Sequence, residues 1–247
     1  NVSANTSRAN WIVRISDISP DGRVTQVGGA AFNGTHRNSA REPDDLIPGE
    51  IFPLEIGMHF TSWVFPKGHI IRFAVNNAMW PMLWPTPYPM TTSLSIGEPS
   101  GARLILPLIP SVVRQLPKFK QPTIDPSLPG FGTIEGGNIT GYAEITSIEH
   151  DKDTGDAYGI ATNSTSYIYP WGIEHFEELL EHRTSDTDPS QTSVTGHYAI
   201  ENVLQDRTIR LEQDVVFKSD LKNFHMNFIR RCKVDGETVH EKQWNET

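Results

Sequence analysis

Glycine and proline divide this chain into short segments, and that division constrains its fold more than any other feature. The 247 residues include 19 glycines and 18 prolines. Helix interiors exclude proline and disfavour glycine, whereas the turns between strands use both. Alternating apolar and polar residues, the pattern of half-buried strands, fill several of the intervening runs. The sequence therefore predicts an all-β protein with many turns.

A first β unit, a jelly-roll sandwich, is predicted at residues 1–117. Trp11, Val13 and Ile15 share one face of a strand at 11–18. Pro20-Asp21-Gly22 then turns the chain into a return strand at 23–27. The remaining strand predictions in this unit are an edge or bulged segment at 50–60, a hairpin formed by 63–65 and 70–75, and a buried strand at 103–109.

A second antiparallel β unit is predicted at residues 139–247, after a linker at 118–138 that is dense in proline and glycine. Asp235-Gly236 is the strongest hairpin signal in the chain. Short links between consecutive strands favour a meander. The predicted strands of this unit are 142–149, 158–161, 193–204, 207–218, 224–234 and 237–244.

One segment of the second unit has two interpretations. Ile173, Phe176 and Leu180 recur at helical spacing, which predicts about two turns of helix. The alternation of residues 173 and 175 against 174 and 176 is typical of a strand. Both interpretations stay open from the sequence.

The charge balance argues against a nucleic-acid partner, and the length of the apolar runs argues against a membrane partner. Lys and Arg total 21 and Asp and Glu total 30, so the net charge is −9 with histidines neutral. Nucleic-acid surfaces need clustered basic residues, so no nucleic-acid partner is expected. No apolar run approaches the length of about 20 residues that spans a bilayer, so no membrane partner is expected. No basic segment followed by an apolar stretch opens the chain, which favours the cytoplasm.

Motifs for catalysis and metal binding are missing or incomplete. The Gly-x-Ser-x-Gly elbow of α/β-hydrolases does not occur. Cys232 is the single cysteine, which excludes a multi-cysteine metal site. Its side chain is best explained as that of a small apolar residue in a strand. His59 and His69 flank a predicted hairpin, but surface histidines explain them as well. The run 151–156 superficially resembles a calcium loop, lacks its glycine and bidentate glutamate, and is better explained as a solvated hairpin tip. We therefore expect no metal site and no cofactor.

A proline-stiffened aromatic loop is the most distinctive stretch of the chain. Trp80, Trp84 and Tyr88 lie on it, and residues 80–88 include three prolines. Such rings either close the end of a sandwich or contact an interface, or they stack on a sugar as in a carbohydrate-binding module. These three residues are the only candidate ligand or interface residues that the sequence offers.

Four motifs, in order over about the first hundred residues, resemble those of the C-terminal jelly-roll domain of the X-Pro dipeptidyl-peptidase and cocaine-esterase family of serine hydrolases. Residues 80–87 and 102–107 resemble one subgroup, in which a β-rich extension follows the jelly roll. Weaker motifs near residues 224–228 and 239–246 are similar to that extension. The four motifs are Trp11-Ile-Val-Arg-Ile-Ser-Asp-Ile-Ser-Pro-Asp-Gly-Arg23, His36-Arg-Asn-Ser39, Pro48-Gly-Glu50 and Trp63-Val-Phe-Pro-Lys-Gly-His-Ile-Ile-Arg-Phe73.

This resemblance implies a galactose-binding-like accessory domain rather than an enzyme in itself. In the family, the catalytic serine, aspartate and histidine lie on an α/β-hydrolase domain that precedes the jelly roll, so no residue of this chain is expected to be catalytic. The expected partner is that hydrolase domain of the same protein, an acyl esterase or a dipeptidyl-peptidase, and a homo-oligomer stays open. The resemblance also implies that the first strand of the jelly roll lies upstream of Val2. The alternative function is a carbohydrate-binding module that uses the aromatic loop.

Overall fold

The computed structural model describes residues 1–97, 101–109, 115, 117–123, 128–133 and 145–247. Every strand pairing in these residues is antiparallel, and their only helical segments are two 3₁₀ turns, Gly34–His36 and Pro189–Gln191. The prediction of an all-β protein is confirmed. None of the helical segments described is long and apolar enough to cross a membrane. The chain divides into two compact units, Asn1–Pro107 and Leu108–Thr247.

Two antiparallel sheets make up the first unit. A three-stranded sheet has the order β3-β2-β4, and β1 pairs with β5 in a second sheet. The central strand β2 has a neighbour on each side and is buried along most of its length. The strands are β1 (Val2–Ala4), β2 (Asn10–Ile18), β3 (Val24–Asn33), β4 (Ile70–Asn76) and β5 (Thr92–Leu94).

The core of the first unit lies around Trp11 of β2, which is 2% exposed. The Trp11 ring makes an edge-to-face contact with Phe52, with centroids 5.6 Å apart. Gly34 lies directly against the Trp11 ring, where a Cβ would overlap it. Glycine is therefore required at that position by close approach rather than by its backbone conformation. The other buried members of this cluster are Val2, Ala4, Ala9 and Leu46.

Several strand predictions in the first unit are wrong. Residues 50–60 form only an isolated bridge between Val2 and Phe52, because the segment runs past β1 without a continuous partner. Residues 63–65 form no strand, although the turn is present, with the His69 amide donating to the Pro66 carbonyl at 3.1 Å. Residues 103–109 form no strand, and most of their side chains are exposed rather than buried. The strand at 11–18 is confirmed, and its return strand extends to Asn33.

The second unit contains one large sheet with the order β13-β12-β11-β10-β9-β8-β6, and β7 also pairs with β8. Most neighbouring strands are consecutive in sequence, so the predicted meander is confirmed. The strands are β6 (Gly132–Thr133), β7 (Ile145–His150), β8 (Asp156–Tyr169), β9 (Gly172–Ser185), β10 (Ser193–Leu204), β11 (Thr208–Ser219), β12 (Phe224–Val234) and β13 (Glu237–Glu246).

Residues 173–182 belong to strand β9, so the helical interpretation is wrong. This segment pairs along its whole length with β8 on one side and β10 on the other. Two ladders of backbone hydrogen bonds outweigh the weak helical periodicity. The Asp235-Gly236 hairpin is confirmed, with φ of 51° and 85°. Strand β6 lies inside the predicted linker, and residues 142–144 of a predicted strand lie outside the described residues.

The register of the large sheet separates its side chains into two faces of different character. Gly196 shows the alignment, because a Cβ there would lie 2.9 Å from both Leu180 and Val215 on the neighbouring strands. The face on this side is called the apolar face, and the opposite one the polar face. The apolar face includes Phe176, Leu180, Tyr198, Val215, Phe228, Cys232 and Trp244, and the polar face includes Glu177, His197, Arg210, Glu212, Asp214 and Arg231.

Candidate functional site

A buried carboxylate links two of the sequence motifs in the first unit. Asp17 of β2 is 4% exposed. Its Oδ2 accepts a hydrogen bond from Trp63 Nε1 at 3.0 Å, and its Oδ1 lies 2.8 Å from His69 Nδ1. A buried carboxylate needs such partners, because leaving it unpaired away from water is costly. No local sequence pattern indicates this cluster, since 46 and 52 residues separate Asp17 from its partners.

The two middle motifs, residues 36–39 and 48–50, hold an irregular segment against the core of the first unit. The Arg37 guanidinium donates to the carbonyl oxygens of Asp44 at 2.7 Å and Asp45 at 3.3 Å, and it lies 5.5 Å from the ring centroid of Phe52. The Gly49 amide donates to the Ala4 carbonyl at 2.7 Å. Gly49 has φ of 82°, a conformation that favours glycine. These motif residues therefore stabilise the fold of the first unit.

Apolar side chains are exposed beside the Asp17 cluster, along β4 and the segment before it. We call Trp63, Val64, Ile70, Ile71 and Phe73 the exposed apolar band. Val64 is 80% exposed and Ile70 is 62% exposed. In the described residues β4 is the edge of its sheet. Adjacent exposed apolar side chains of this kind mark surfaces that contact another protein.

The predicted ligand or interface residues Trp80, Trp84 and Tyr88 are each half-buried. The loop closes on itself through a hydrogen bond from the Leu83 amide to the Met79 carbonyl at 2.8 Å, and the Trp80–Pro81 peptide bond is cis. Half-buried rings fit either interpretation of this loop. A ligand-binding or interface role for these three residues stays a prediction.

An ion-pair network crosses the polar face of the second unit from β9 to β13. Arg210 pairs with Glu177, and its Nε donates to Glu212 Oε1 at 2.8 Å. Lys233 Nζ contacts the other oxygen of Glu212 at 2.8 Å. Hydrogen bonds from Lys233 and Arg210 hold the pKa of the Glu212 carboxyl below its usual value. Ala199 lies between Glu177 and Glu212 in the register and is fully buried.

The same network continues around Asp214. His197 Nδ1 lies 2.7 Å from Asp214 Oδ1, and Arg231 bridges Asp214 at 2.5 Å and Glu241 at 2.7 Å. The hydrogen bonds from His197 and then from Arg231 lower the pKa of the Asp214 carboxyl. Each charged group here has a partner on a neighbouring strand. The charges of this network are therefore paired within the sheet.

Two hydroxyl–imidazole pairs on the second unit resemble parts of a hydrolase site. Ser166 Oγ lies 2.7 Å from His175 Nδ1, but no carboxylate orients that histidine among the described residues. His225 lies between Thr247 Oγ1 at 3.2 Å and Asp220 Oδ2 at 2.6 Å. That second group lies beside an exposed turn at 221–224, without the water-excluded, preorganised surroundings that acyl transfer needs. We assign neither group a catalytic role, and an active site outside this chain stays a prediction.

The candidate metal ligands of the sequence have other partners or stand apart. His69 faces Asp17, whereas His59 is exposed. Asp151 Oδ1 accepts the backbone N–H groups of Asp153 at 2.8 Å and Thr154 at 3.3 Å, as expected at a hairpin tip. Within the described ranges, no three His, Cys, Asp or Glu side chains are close enough to share a metal ion.

The comparison with known families matches the first unit. Residues 1–107 match the family model of the X-Pro dipeptidyl-peptidase C-terminal non-catalytic domain. No curated protein and no solved structure matches the chain. All four motifs of the resemblance lie inside the matched residues. The first motif contains Trp11 and Asp17, and the last contains Trp63 and His69, the partners of Asp17. Residues 1–107 are therefore a member of the X-Pro dipeptidyl-peptidase C-terminal non-catalytic domain family.

Proposed function

We propose that this chain is the non-catalytic portion of a serine hydrolase and packs against an α/β-hydrolase domain of the same protein. The first unit would form one wall of the active-site cleft. The hydrolase would act on acyl esters or on N-terminal peptide bonds that follow proline. The family match of residues 1–107 supports the accessory role. The exposed apolar band is the observation that supports the proposed contact with the hydrolase domain, and we call it the docking surface.

The band has the properties of a preorganised contact surface. The hydrogen bond from Trp63 Nε1 to the buried Asp17 fixes the orientation of an aromatic ring that stays partly exposed. Asp17 pairs directly with Ile71 across the β2–β4 ladder, which places Trp63 beside the edge strand. A ring that is already held in place loses little conformational entropy when it is covered. Covering it removes apolar surface from water, which favours association.

The first experiment tests whether the chain lacks activity of its own. Purified chain would be incubated with p-nitrophenyl acetate and with an alanyl-prolyl p-nitroanilide, with and without an organophosphate that modifies reactive serines. We expect no turnover above the buffer rate. Turnover that the organophosphate abolishes would place a working hydrolase site in these residues and contradict the proposal.

The second experiment tests the docking surface. The coding sequence upstream of Asn1 would be expressed together with this chain, and we expect it to contain a Gly-x-Ser-x-Gly elbow. In that joined protein, Val64→Asp with Ile70→Asp would place two carboxylates in the contact. Because buried unpaired charges are strongly unfavourable, we expect kcat/KM to fall at least about tenfold, equivalent to about 1.4 kcal/mol.

Ile96→Asp is the matched control, since Ile96 is 83% exposed but lies outside the band. We expect the control to keep the kcat/KM of the unchanged protein. An upstream sequence without the elbow would contradict the hydrolase. Equal activity of the band variant and the control would contradict the docking surface.

A further inference from the structure

We propose that the apolar face of the second unit binds the same face of a second copy of this chain. This inference goes beyond the accessory role of the first unit and does not depend on it. It rests on three observations about the large sheet. Some of its apolar side chains are exposed, Glu178, Arg230 and Lys242 on it form no ion pair with a described residue, and these three charges lie in a pattern that is complementary to itself.

The apolar face is large enough for a stable interface. Leu211 is 41% exposed and Phe224 is 52% exposed on it. The six strands from β8 to β13 have a width of about 24 Å and a length of about 34 Å over ten residues, which gives about 800 Å². A standard protein interface covers about 800 Å² on each partner. One face of this sheet therefore provides the area that a dimer requires.

The charged groups Glu174, Glu178, Arg230, Lys242 and Glu246 of the apolar face form no ion pair with a described residue. Glu178 of β9 has no ion pair or hydrogen bond with any described residue, and neither Arg230 of β12 nor Lys242 of β13 contacts a described carboxylate. Arg230 lies 5.9 Å from the ring centroid of Phe228, and Lys242 lies 4.7 Å from that of Trp244. These cations rest on aromatic rings and leave their donors available.

Glu178, Arg230 and Lys242 lie in one row across the sheet. Glu178 is near one end of the row, and the two cations are at the other end. The pairing register places the six residues directly opposite one another, strand after strand. In order from β8 to β13 the row is Asn163, Glu178, Tyr198, Gln213, Arg230 and Lys242.

A two-fold axis parallel to the strands, between β10 and β11, makes this row complementary to itself. Packing two apolar faces about that axis sets β9 of one copy over β12 of the other. Glu178 of each copy then faces Arg230 of the other copy, and Tyr198 faces Gln213. The two ion pairs are equivalent by symmetry, as expected for an isologous dimer.

The geometry of packed sheets keeps these groups within reach. Stacked sheets lie about 10 Å apart, which a glutamate and an arginine can bridge together. Aligned sheets also rotate by about 30° relative to each other. Glu178 and Arg230 lie about one and a half strand spacings, about 7 Å, from the axis, so this rotation displaces them by about 4 Å. The length of the arginine side chain accommodates that displacement.

The test uses two charge reversals in the full chain. By light scattering after size exclusion, we expect the unchanged chain to be a dimer. Glu178→Lys places two cations opposite each other, and Arg230→Glu places two anions opposite each other. We expect each variant alone to be monomeric, with a Kd at least about a hundredfold higher. An equimolar mixture of the two variants restores both ion pairs, and we expect it to form a dimer again.

Lys218→Glu is the matched control, because Lys218 is an exposed cation of β11 on the polar face. We expect it to remain a dimer. A monomeric unchanged chain, or two single variants that stay dimeric, would overturn the proposal. A mixture that fails to associate while both variants keep the circular dichroism of the unchanged chain would overturn it as well.

The single thiol gives a second measurement that needs no substitution. Cys232 of β12 lies on the apolar face, one row from Arg230. In the proposed dimer it is covered, so we expect a thiol reagent to react at least about tenfold faster after a dilution that dissociates the dimer. A reaction rate that does not change with concentration would contradict the proposal. Neither measurement depends on hydrolysis. A failure of the dimer proposal can therefore be distinguished from a failure of the proposed accessory role.

Discussion

The first unit buries Trp11 in a cluster of apolar side chains, whereas the one buried apolar residue described in the second unit is Ala199. The second unit instead has long ladders of backbone hydrogen bonds and charged groups paired across strands. Sequence length alone does not explain the contrast, because the second unit is the longer one. The difference lies in what each sheet is packed against.

The comparison shows that regular secondary structure and a buried core are separate properties. The first unit has strands of three to ten residues and long irregular segments, and apolar side chains of those segments pack against the cluster around Trp11. The second unit has strands of ten or more residues in its main meander and two faces with partly exposed side chains. A sheet needs a second layer to bury one face. The second unit is therefore the part that gains most from a partner.

Removing the core ring should have the largest effect. We expect Trp11→Ala to destabilise the first unit by about 3–5 kcal/mol, because a large aromatic side chain leaves a cavity in a packed core. Amide hydrogen exchange would then lose protection over residues 1–97 and keep it over residues 145–247. Equal loss of protection in both units would show that their stabilities are not separate.

Removing the buried carboxylate should have the next largest effect. We expect Asp17→Ala to cost about 2 kcal/mol in urea unfolding, since it removes the acceptor of Trp63 and His69. Asp17→Asn, which keeps one acceptor oxygen, should cost less. An alanine variant as stable as the unchanged chain would mean that the cluster contributes nothing to the first unit.

The ion-pair network of the second unit should contribute less and in a pH-dependent way. The pKa of Glu212 is lowered in the folded state, so its contribution is present above its unfolded pKa of about 4.5 and is lost as the pH falls. We expect Glu212→Gln to cost about 1 kcal/mol at neutral pH and to flatten the decline in stability below pH of about 4.5. An unchanged slope in acid would assign the pH dependence to other carboxyl groups.

The smallest effect is expected at the Asp220 turn. Hydrogen bonds from His225 and from the backbone amides of Lys222 and Asn223 lower the pKa of Asp220 to about 2. We expect His225→Ala to raise this pKa while the backbone hydrogen bonds keep it below that of a free aspartate. A carbon-detected NMR titration of the carboxyl would measure the shift. No change in the Asp220 pKa would show that His225 is not its partner in solution.

The strands predicted correctly from the sequence are those in which the alternation of apolar residues and a turn signal indicate the same structure. Alternation and the Pro20-Asp21-Gly22 turn gave β2 and β3, and Asp235-Gly236 gave the β12–β13 hairpin. Where only one of the two signals was present, the prediction was wrong or left two interpretations open. Residues 103–109 are apolar but have no strand partner, and residues 173–182 carry helical spacing inside a sheet.

The sites were harder to predict than the strands. The Asp17 cluster joins residues from β2 and a distant irregular segment, and no local pattern shows that they meet. The row from Glu178 to Lys242 depends on the register of six strands. A shift of one residue in any strand would place its members on the other face, so side-chain spacing alone cannot reveal the row.

Strand β13 ends the large sheet as the structure describes it, and its outer backbone groups have no strand beside them. An unpaired edge strand of this kind is a template to which strands of identical chains can add without limit, and this growth forms fibres. Glu237, Glu241, Lys242 and Glu246 stand along it, and charged side chains discourage that growth. We therefore expect the large sheet to resist extension into ribbons through β13.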